Sequence, residues 1–166
     1  DVIVNMGPPI LVPADVPFIP ESSDKSQAVS YKIEVAGHGR VELGAVSMGN
    51  PHAVIIVDDI DTAAVETLGP LVEAHTSFPA KVNAGFMQII NRNHIKLRVF
   101  ERGVGETKAC GTGACGAVVS GILRGLLDHT VQVDLPGGAL TIKWDGQGDV
   151  IMTGPTSNVF EGRVNI

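Results

Sequence analysis

The segment of this 166-residue chain with the greatest capacity for chemistry is Ala109-Cys110-Gly111-Thr112-Gly113-Ala114-Cys115-Gly116. Cys110 stands just before a run expected to be helical. The first backbone N–H groups of a helix have no partner inside it. The helix dipole puts partial positive charge at that end and favours thiolate over thiol. The same free N–H groups can hold a carboxylate, and Gly111 and Gly113 let a ligand come close to the backbone. A thiolate beside a carboxylate-binding nest is what removal of an α-proton from an amino acid requires. The competing role for Cys110 is that of a small buried residue near a glycine-rich cap; its place at a helix start favours chemistry. Cys115 is five residues on, about 140° around a helix, so the two side chains point apart. An intrahelical disulfide is not expected, the spacing does not suit zinc, and no histidine is near in sequence. Cys115 is read as core.

Three further constellations carry groups that can bind. In Met48-Gly49-Asn50-Pro51-His52, the Asn50 amide offers donor and acceptor together, as a zwitterionic ligand needs; taken alone, an Asx turn before Pro51 explains the segment more simply. His52 can tune a nearby thiol or be a satisfied core histidine, and the second is the simpler reading. In Phe100-Glu101-Arg102-Gly103 an adjacent acid and base can meet an ammonium and a carboxylate, Arg102 in bidentate fashion; a solvated strand end explains the pair as well. Asn83, in Val82-Asn83-Ala84-Gly85-Phe86, has the same two readings. His38, His75, His94 and His129 fall in turns or helix ends and receive no role.

The elements that must position these groups are mostly strands. Strand patterns cover Val2–Met6, Ala28–Ala36, Arg40–Val46, Ala53–Val57, Val82–Ile90, Ile95–Glu101, Val131–Leu135, Leu140–Trp144, Val150–Thr153 and Asn158–Asn165. Gly37-His38-Gly39, Asn91-Arg92-Asn93 and Pro136-Gly137-Gly138 mark hairpins. Ile95, Leu97 and Val99 alternate with Lys96, Arg98 and Phe100, the period of a half-buried strand. A proline-rich stretch, Pro8 to Pro20, reads as an extended surface connection. One helix is expected from an Asp61 N-cap to about His75, broken at Pro70. A second runs from Gly111 to about Leu127, apolar or small on every face and hence buried all round. The fold class that follows is α+β, a curved, mostly antiparallel sheet or barrel wrapped around one central helix.

Composition bounds the rest. Apolar residues are 44 % and aromatics only 4 %, so the core is built from Val, Ile, Leu and Ala. The net charge is −6, with no cluster of Lys or Arg, which argues against nucleic acid. No apolar run approaches a membrane span. Two cysteines and no apparent signal peptide point to the cytoplasm. The chain opens with Asp1 directly into Val2-Ile3-Val4, and the expectation is a piece cut from a longer polypeptide.

Taken together, Met48–His52, Val82–Phe86, Glu101–Gly103, Ala109–Cys115, Leu135-Pro136-Gly137-Gly138 and Met152-Thr153-Gly154-Pro155, in this order and spacing, resemble the diaminopimelate epimerase family. The resemblance extends over essentially the whole chain. Proline racemases and phenazine-pathway isomerase-like proteins share the fold and a similar cysteine–glycine segment; the full set is specific to the diaminopimelate enzymes.

The resemblance implies two pseudo-symmetric halves, each wrapping a helix, with the active site between them and one cysteine at each helix start. One thiolate removes the α-proton and the other thiol reprotonates the opposite face, interconverting LL- and meso-diaminopimelate on the route to lysine and peptidoglycan. Neither pyridoxal phosphate nor any other cofactor or metal takes part. By that resemblance residues 1–166 are the C-terminal domain of a two-domain epimerase, and the N-terminal domain is absent from this chain. Cys110 is one of the two acid–base cysteines. Gly111 and Thr112 hold the α-carboxylate through backbone N–H groups. Asn50, Asn83, Glu101 and Arg102 grip the distal amino-acid end, and His52 and Glu101 influence thiol protonation. A homodimer is also expected. No second Cys-Gly-rich helix start precedes Cys110, so the fragment alone is expected to have negligible activity. Residues 159–166, which in the family cross to the first half, are expected to fray or swap between copies. The competing readings are a proline or hydroxyproline racemase, a non-catalytic carboxylate-binding domain, and, weakest, a thiol redox protein.

Overall fold

A computed structural model describes residues 1–22 and 26–164. Among the described residues ten strands form one mixed sheet: β1 (Val2–Asn5), β2 (Tyr31–Val35), β3 (Gly39–Ser47), β4 (Pro51–Ile56), β5 (Asn83–Asn91), β6 (His94–Glu101), β7 (Gly105–Thr107), β8 (Thr130–Leu135), β9 (Gly138–Lys143) and β10 (Ile151–Gly154). Their order across the sheet is β1-β10-β9-β8-β6-β5-β4-β3-β2, with β7 on β6. The β4–β5 and β6–β8 pairs are parallel and the other pairs antiparallel. The sheet does not close into a barrel. One bridge spans part of the gap, with Ile10 and Ser47 exchanging two backbone hydrogen bonds of 2.9 Å.

The sheet is buried on two faces, and the pleat assigns its residues to two cores. Helix α2 (Gly111–Leu123) lies against β3, β4, β5, β6 and β9. Every residue from Gly113 to Gly121 is buried, as an apolar-all-round helix must be. Val54, Met87, Ile95, Leu97 and Val99 pack towards α2. The alternate residues Ala53, Ile55, Ala84 and Phe86 face the opposite core, where α1 (Val65–Glu73) covers β5 and β6.

Several expectations need correction. Helix α1 starts at Val65 with Ala64 as its cap, not at Asp61. Asp59 organises the preceding turn instead, its Oδ1 accepting the Asp61 N–H at 3.0 Å. Pro70 does not break α1. Leu68 N–H to Ala64 O (2.8 Å) and Ala74 N–H to Pro70 O (3.2 Å) bracket it, so one missing amide leaves the helix continuous. Helix α2 ends four residues short of Leu127. Gly125 takes a φ of 71°, a left-handed position that glycine adopts without strain. The Leu126 and Gly125 amides then bond back to Gly121 O and Ile122 O, both at 2.9 Å, which satisfies the last carbonyls of the helix. The proline-rich stretch is only partly surface: Val16 and Phe18 are buried, and Phe18 packs its ring against Tyr31 and Phe78. Residues 155–164 form no strand, contrary to the pattern at Asn158–Asn165; residues 165 and 166 lie outside the described residues. No helix among the described residues is long and apolar enough to cross a membrane.

Candidate active site

Topology gathers the chemistry-bearing residues at one end of the sheet. Strands β4 and β5 run parallel, so both begin there; β6 is antiparallel to β5 and ends there. His52 and Asn83 are partners across the β4–β5 ladder. Ala84 is paired with Phe100, which places Glu101 and Arg102 beside Asn83. Helix α2 starts at the same end, with Cys110 as its N-cap in an extended conformation (φ −142°, ψ 100°).

Cys110 is 7 % exposed. Its Sγ lies 3.7 Å from Thr112 Oγ1. The first helical bond runs from Ala114 N–H to Cys110 O at 2.9 Å. The amides of Gly111 and Thr112 precede the helical ladder and are the ones a ligand can use, while the Gly113 amide is turned to the Cys110 sulfur. Burial pushes the Cys110 thiol up from its ordinary value. The Thr112 hydroxyl and the Gly113 amide pull it down, and the Glu101 carboxylate pushes it further up. Within this chain burial and Glu101 outweigh the two hydrogen bonds, so the net direction is up, towards the thiol. Cys115 is fully buried, and desolvation pushes it up to about 12, with the nearby Cys110 thiol adding to the shift. Neither cysteine is in a disulfide.

Glu101 is held from β7. The Thr107 hydroxyl donates a short hydrogen bond to Glu101 Oε1. Strand β7 is in turn clamped to β6 by Arg98, which donates to both carboxylate oxygens of Glu106 at 2.7 and 2.8 Å. Thr107 carries little signal in the sequence because β7 has only three residues, marked by nothing more than the short Gly105-Glu106-Thr107 run after the Gly103 turn.

His52 is 1 % exposed and packs its ring against α2 at Gly116, where a Cβ would stand 3.4 Å from the imidazole Cγ. Burial, then the field of Arg102, lowers its pKa from 6.5 to about 4, so it is neutral near pH 7. Its Nε2–H donates to Asn50 Oδ1 at 3.1 Å, which leaves the Asn50 amide hydrogens for a ligand. Asn83 is 3 % exposed. It donates to Pro51 O at 3.2 Å and accepts the Arg102 N–H at 2.8 Å. Its amide thus ties the start of β4 to the turn after β6. The exposed Arg102 side chain donates from Nη1 to Ala80 O at 2.9 Å.

All the residues singled out from sequence therefore fall in one region. Cys110, Thr112 and Glu101 form one side; Asn50, His52, Asn83 and Arg102 form the other. The β8–β9 turn packs against the segment that leads into Cys110. The Gly137 N–H donates to Lys108 O at 2.6 Å, and a Cβ on Gly137 would stand 2.8 Å from the same oxygen. Only glycine permits that approach, two residues before Cys110. Among the described residues no group of three or more His, Cys, Asp or Glu side chains converges as metal ligands would.

A family model described as diaminopimelate epimerase matches residues 44–159. The chain is 58 % identical over 166 residues to a diaminopimelate epimerase of Alkalilimnicola ehrlichii and 59 % identical over 167 residues to one of Thioalkalivibrio sulfidiphilus. Each match covers 99 % of this chain and 58 % of the relative, so the chain spans little more than half the length of the relatives it matches. A solved structure of a probable proline racemase from Agrobacterium radiobacter shares the fold, with a TM-score of 0.53 at 17 % identity, over 74 % of this chain and 45 % of that one. With a family model matching most of its length and relatives nearly 60 % identical, the chain belongs to the diaminopimelate epimerase family.

Proposed function

We propose that this chain is the C-terminal domain of a cofactor-independent diaminopimelate epimerase and supplies one of its two acid–base thiols. The observation that carries the reading is Cys110 at the start of α2, with the Gly111 and Thr112 amides ahead of the helical ladder and Glu101 facing the sulfur. The α-carboxylate of the substrate sits on those two amides, where the helix dipole adds to the hydrogen bonds. Cys110 as thiolate takes the α-proton from one face; in the opposite direction the thiol returns it. The α-proton is a very weak acid, so the developing carbanion needs fixed donors in a desolvated site. A substrate ammonium paired with Glu101 offsets the carboxylate's push on the thiol, so binding itself promotes ionisation of Cys110. Asn50, Asn83, Glu101 and Arg102 hold the distal amino-acid end, and neutral His52 fixes the Asn50 amide.

The second thiol belongs to a preceding N-terminal domain that closes over this end of the sheet, in a cytoplasmic enzyme that works as a homodimer. The test is deuterium incorporation at Cα of diaminopimelate in heavy water. The protein expressed from its complete reading frame should exchange the α-hydrogen and interconvert the LL and meso forms, Cys110→Ala should abolish interconversion, and proline should not exchange. Residues 1–166 alone should give no turnover. Interconversion that survives Cys110→Ala would refute the assignment, and ligand binding without exchange in any context would leave a carboxylate-binding domain.

A further inference from the structure

We infer that Glu73 is a positioning residue for the Arg102 end of the site, an inference that rests on the epimerase reading and deepens it. Glu73 is the last residue of α1, and its side chain is 9 % exposed. An acidic residue at a helix C-terminus works against the dipole, and a buried one loses hydration as well. Its place is explained by what it holds. Oε1 accepts the Gly103 N–H at 3.0 Å and lies 3.3 Å from Lys81 Nζ. The Glu73 backbone carbonyl accepts the Val82 N–H at 3.2 Å.

These bonds complete a set around Arg102. The amides of Arg102 and Gly103 are consecutive, and each donates to a buried side-chain oxygen, from Asn83 and from Glu73 respectively. The Arg102 guanidinium donates to Ala80 O, one residue before Lys81. Lys81 itself has a φ of 58°, a left-handed conformation that a non-glycine residue holds only when its surroundings impose it. Glu73 thus ties together the end of α1, the strained residue leading into Asn83, and the turn that carries Arg102. Its carboxylate touches no reacting atom. It acts by keeping the Arg102 peptide and side chain where a distal carboxylate can meet them.

The test separates positioning from mere stability. In the protein expressed from its complete reading frame, Glu73→Ala should raise KM for diaminopimelate by about 10-fold, with kcat within about 3-fold of the parent, the size of one lost charge-assisted hydrogen bond. Glu73→Gln keeps an oxygen for Gly103 and should restore KM to within about 3-fold. If Glu73→Ala does not fold, Glu73→Asp, one methylene shorter, should show the same rise. Amide exchange at Gly103 should quicken in Glu73→Ala and not in Glu73→Gln. A fall in kcat at constant KM, as fewer folded molecules would give, overturns the inference, as does Glu73→Gln behaving like Glu73→Ala. Parent protein without turnover instead overturns the epimerase reading beneath it.

Discussion

His52 and Asn50 are joined by a 3.1 Å hydrogen bond whose direction fixes both groups: Nε2 carries the proton and Oδ1 receives it. The bond does not require a neutral ring, since a protonated imidazole donates as well; it is burial, helped by the field of Arg102, that excludes the charge. The folded pKa is about 4 against 6.5 for the free side chain. Between those values the unfolded chain binds a proton that the folded chain does not. Stability is therefore fully present above about pH 6.5 and is lost as pH falls towards 4, by on the order of 3 kcal/mol in total. Urea unfolding at pH 7 and pH 4.5 should show that loss, and His52→Gln should flatten the difference. An unchanged pH slope in the variant would place the titration elsewhere.

The two cysteines should separate cleanly under alkylation. Cys115 is fully buried and pushed up to about 12, while Cys110 stands at a helix start with 7 % exposure. Iodoacetamide on the folded chain near pH 8 should add one label, at Cys110. Because Glu101 raises the Cys110 thiol, Glu101→Gln should lower it and speed labelling several-fold. Labelling of Cys115 at a similar rate, or slower labelling of Glu101→Gln, would contradict the electrostatics described.

Asn83→Ala should cost stability because both halves of the amide are used. The substitution leaves the Pro51 carbonyl and the Arg102 N–H without their partner in a region where Asn83 is 3 % exposed. A loss of about 2–3 kcal/mol is expected for two groups left unpaired. Asn83→Asp keeps the acceptor for Arg102 and loses the donor to Pro51, so it should retain more activity than Asn83→Ala. Equal urea midpoints for parent and Asn83→Ala would show that water replaces both bonds.

Much of this was legible in the sequence, for reasons that differ by residue. Helix α2 announced itself because apolar or small residues cover every face, and only a buried helix tolerates that pattern. Ile95, Leu97 and Val99 gave their strand away by period, and all three are buried against α2. Asp61 has the residue type of a helix cap, but Asp59 takes the turn and α1 starts only at Val65. Proline-rich stretches usually lie on the surface, but Phe18 is buried by Tyr31 and Phe78, which no local pattern brings near. The ionisation of Cys110 was the least legible. The helix end is local, but the Glu101 carboxylate and the burial that oppose it arrive through tertiary contacts.

Gly137 offers a test of whether the β8–β9 turn sets the thiol. Its N–H reaches Lys108 O at 2.6 Å, and an added Cβ would meet that oxygen at 2.8 Å. A backbone oxygen cannot swing aside as a side chain can, so Gly137→Ala must push the turn and the 108–109 segment apart. The expected cost is about 1–3 kcal/mol, the range for overpacking a tight contact. The displaced segment leads directly into Cys110, so the variant should also label faster with iodoacetamide while Cys115 stays protected. Faster labelling in a variant that is still folded by circular dichroism places the turn among the supports of the thiol. An unchanged labelling rate alongside the stability loss would mean that α2 alone holds Cys110 in place.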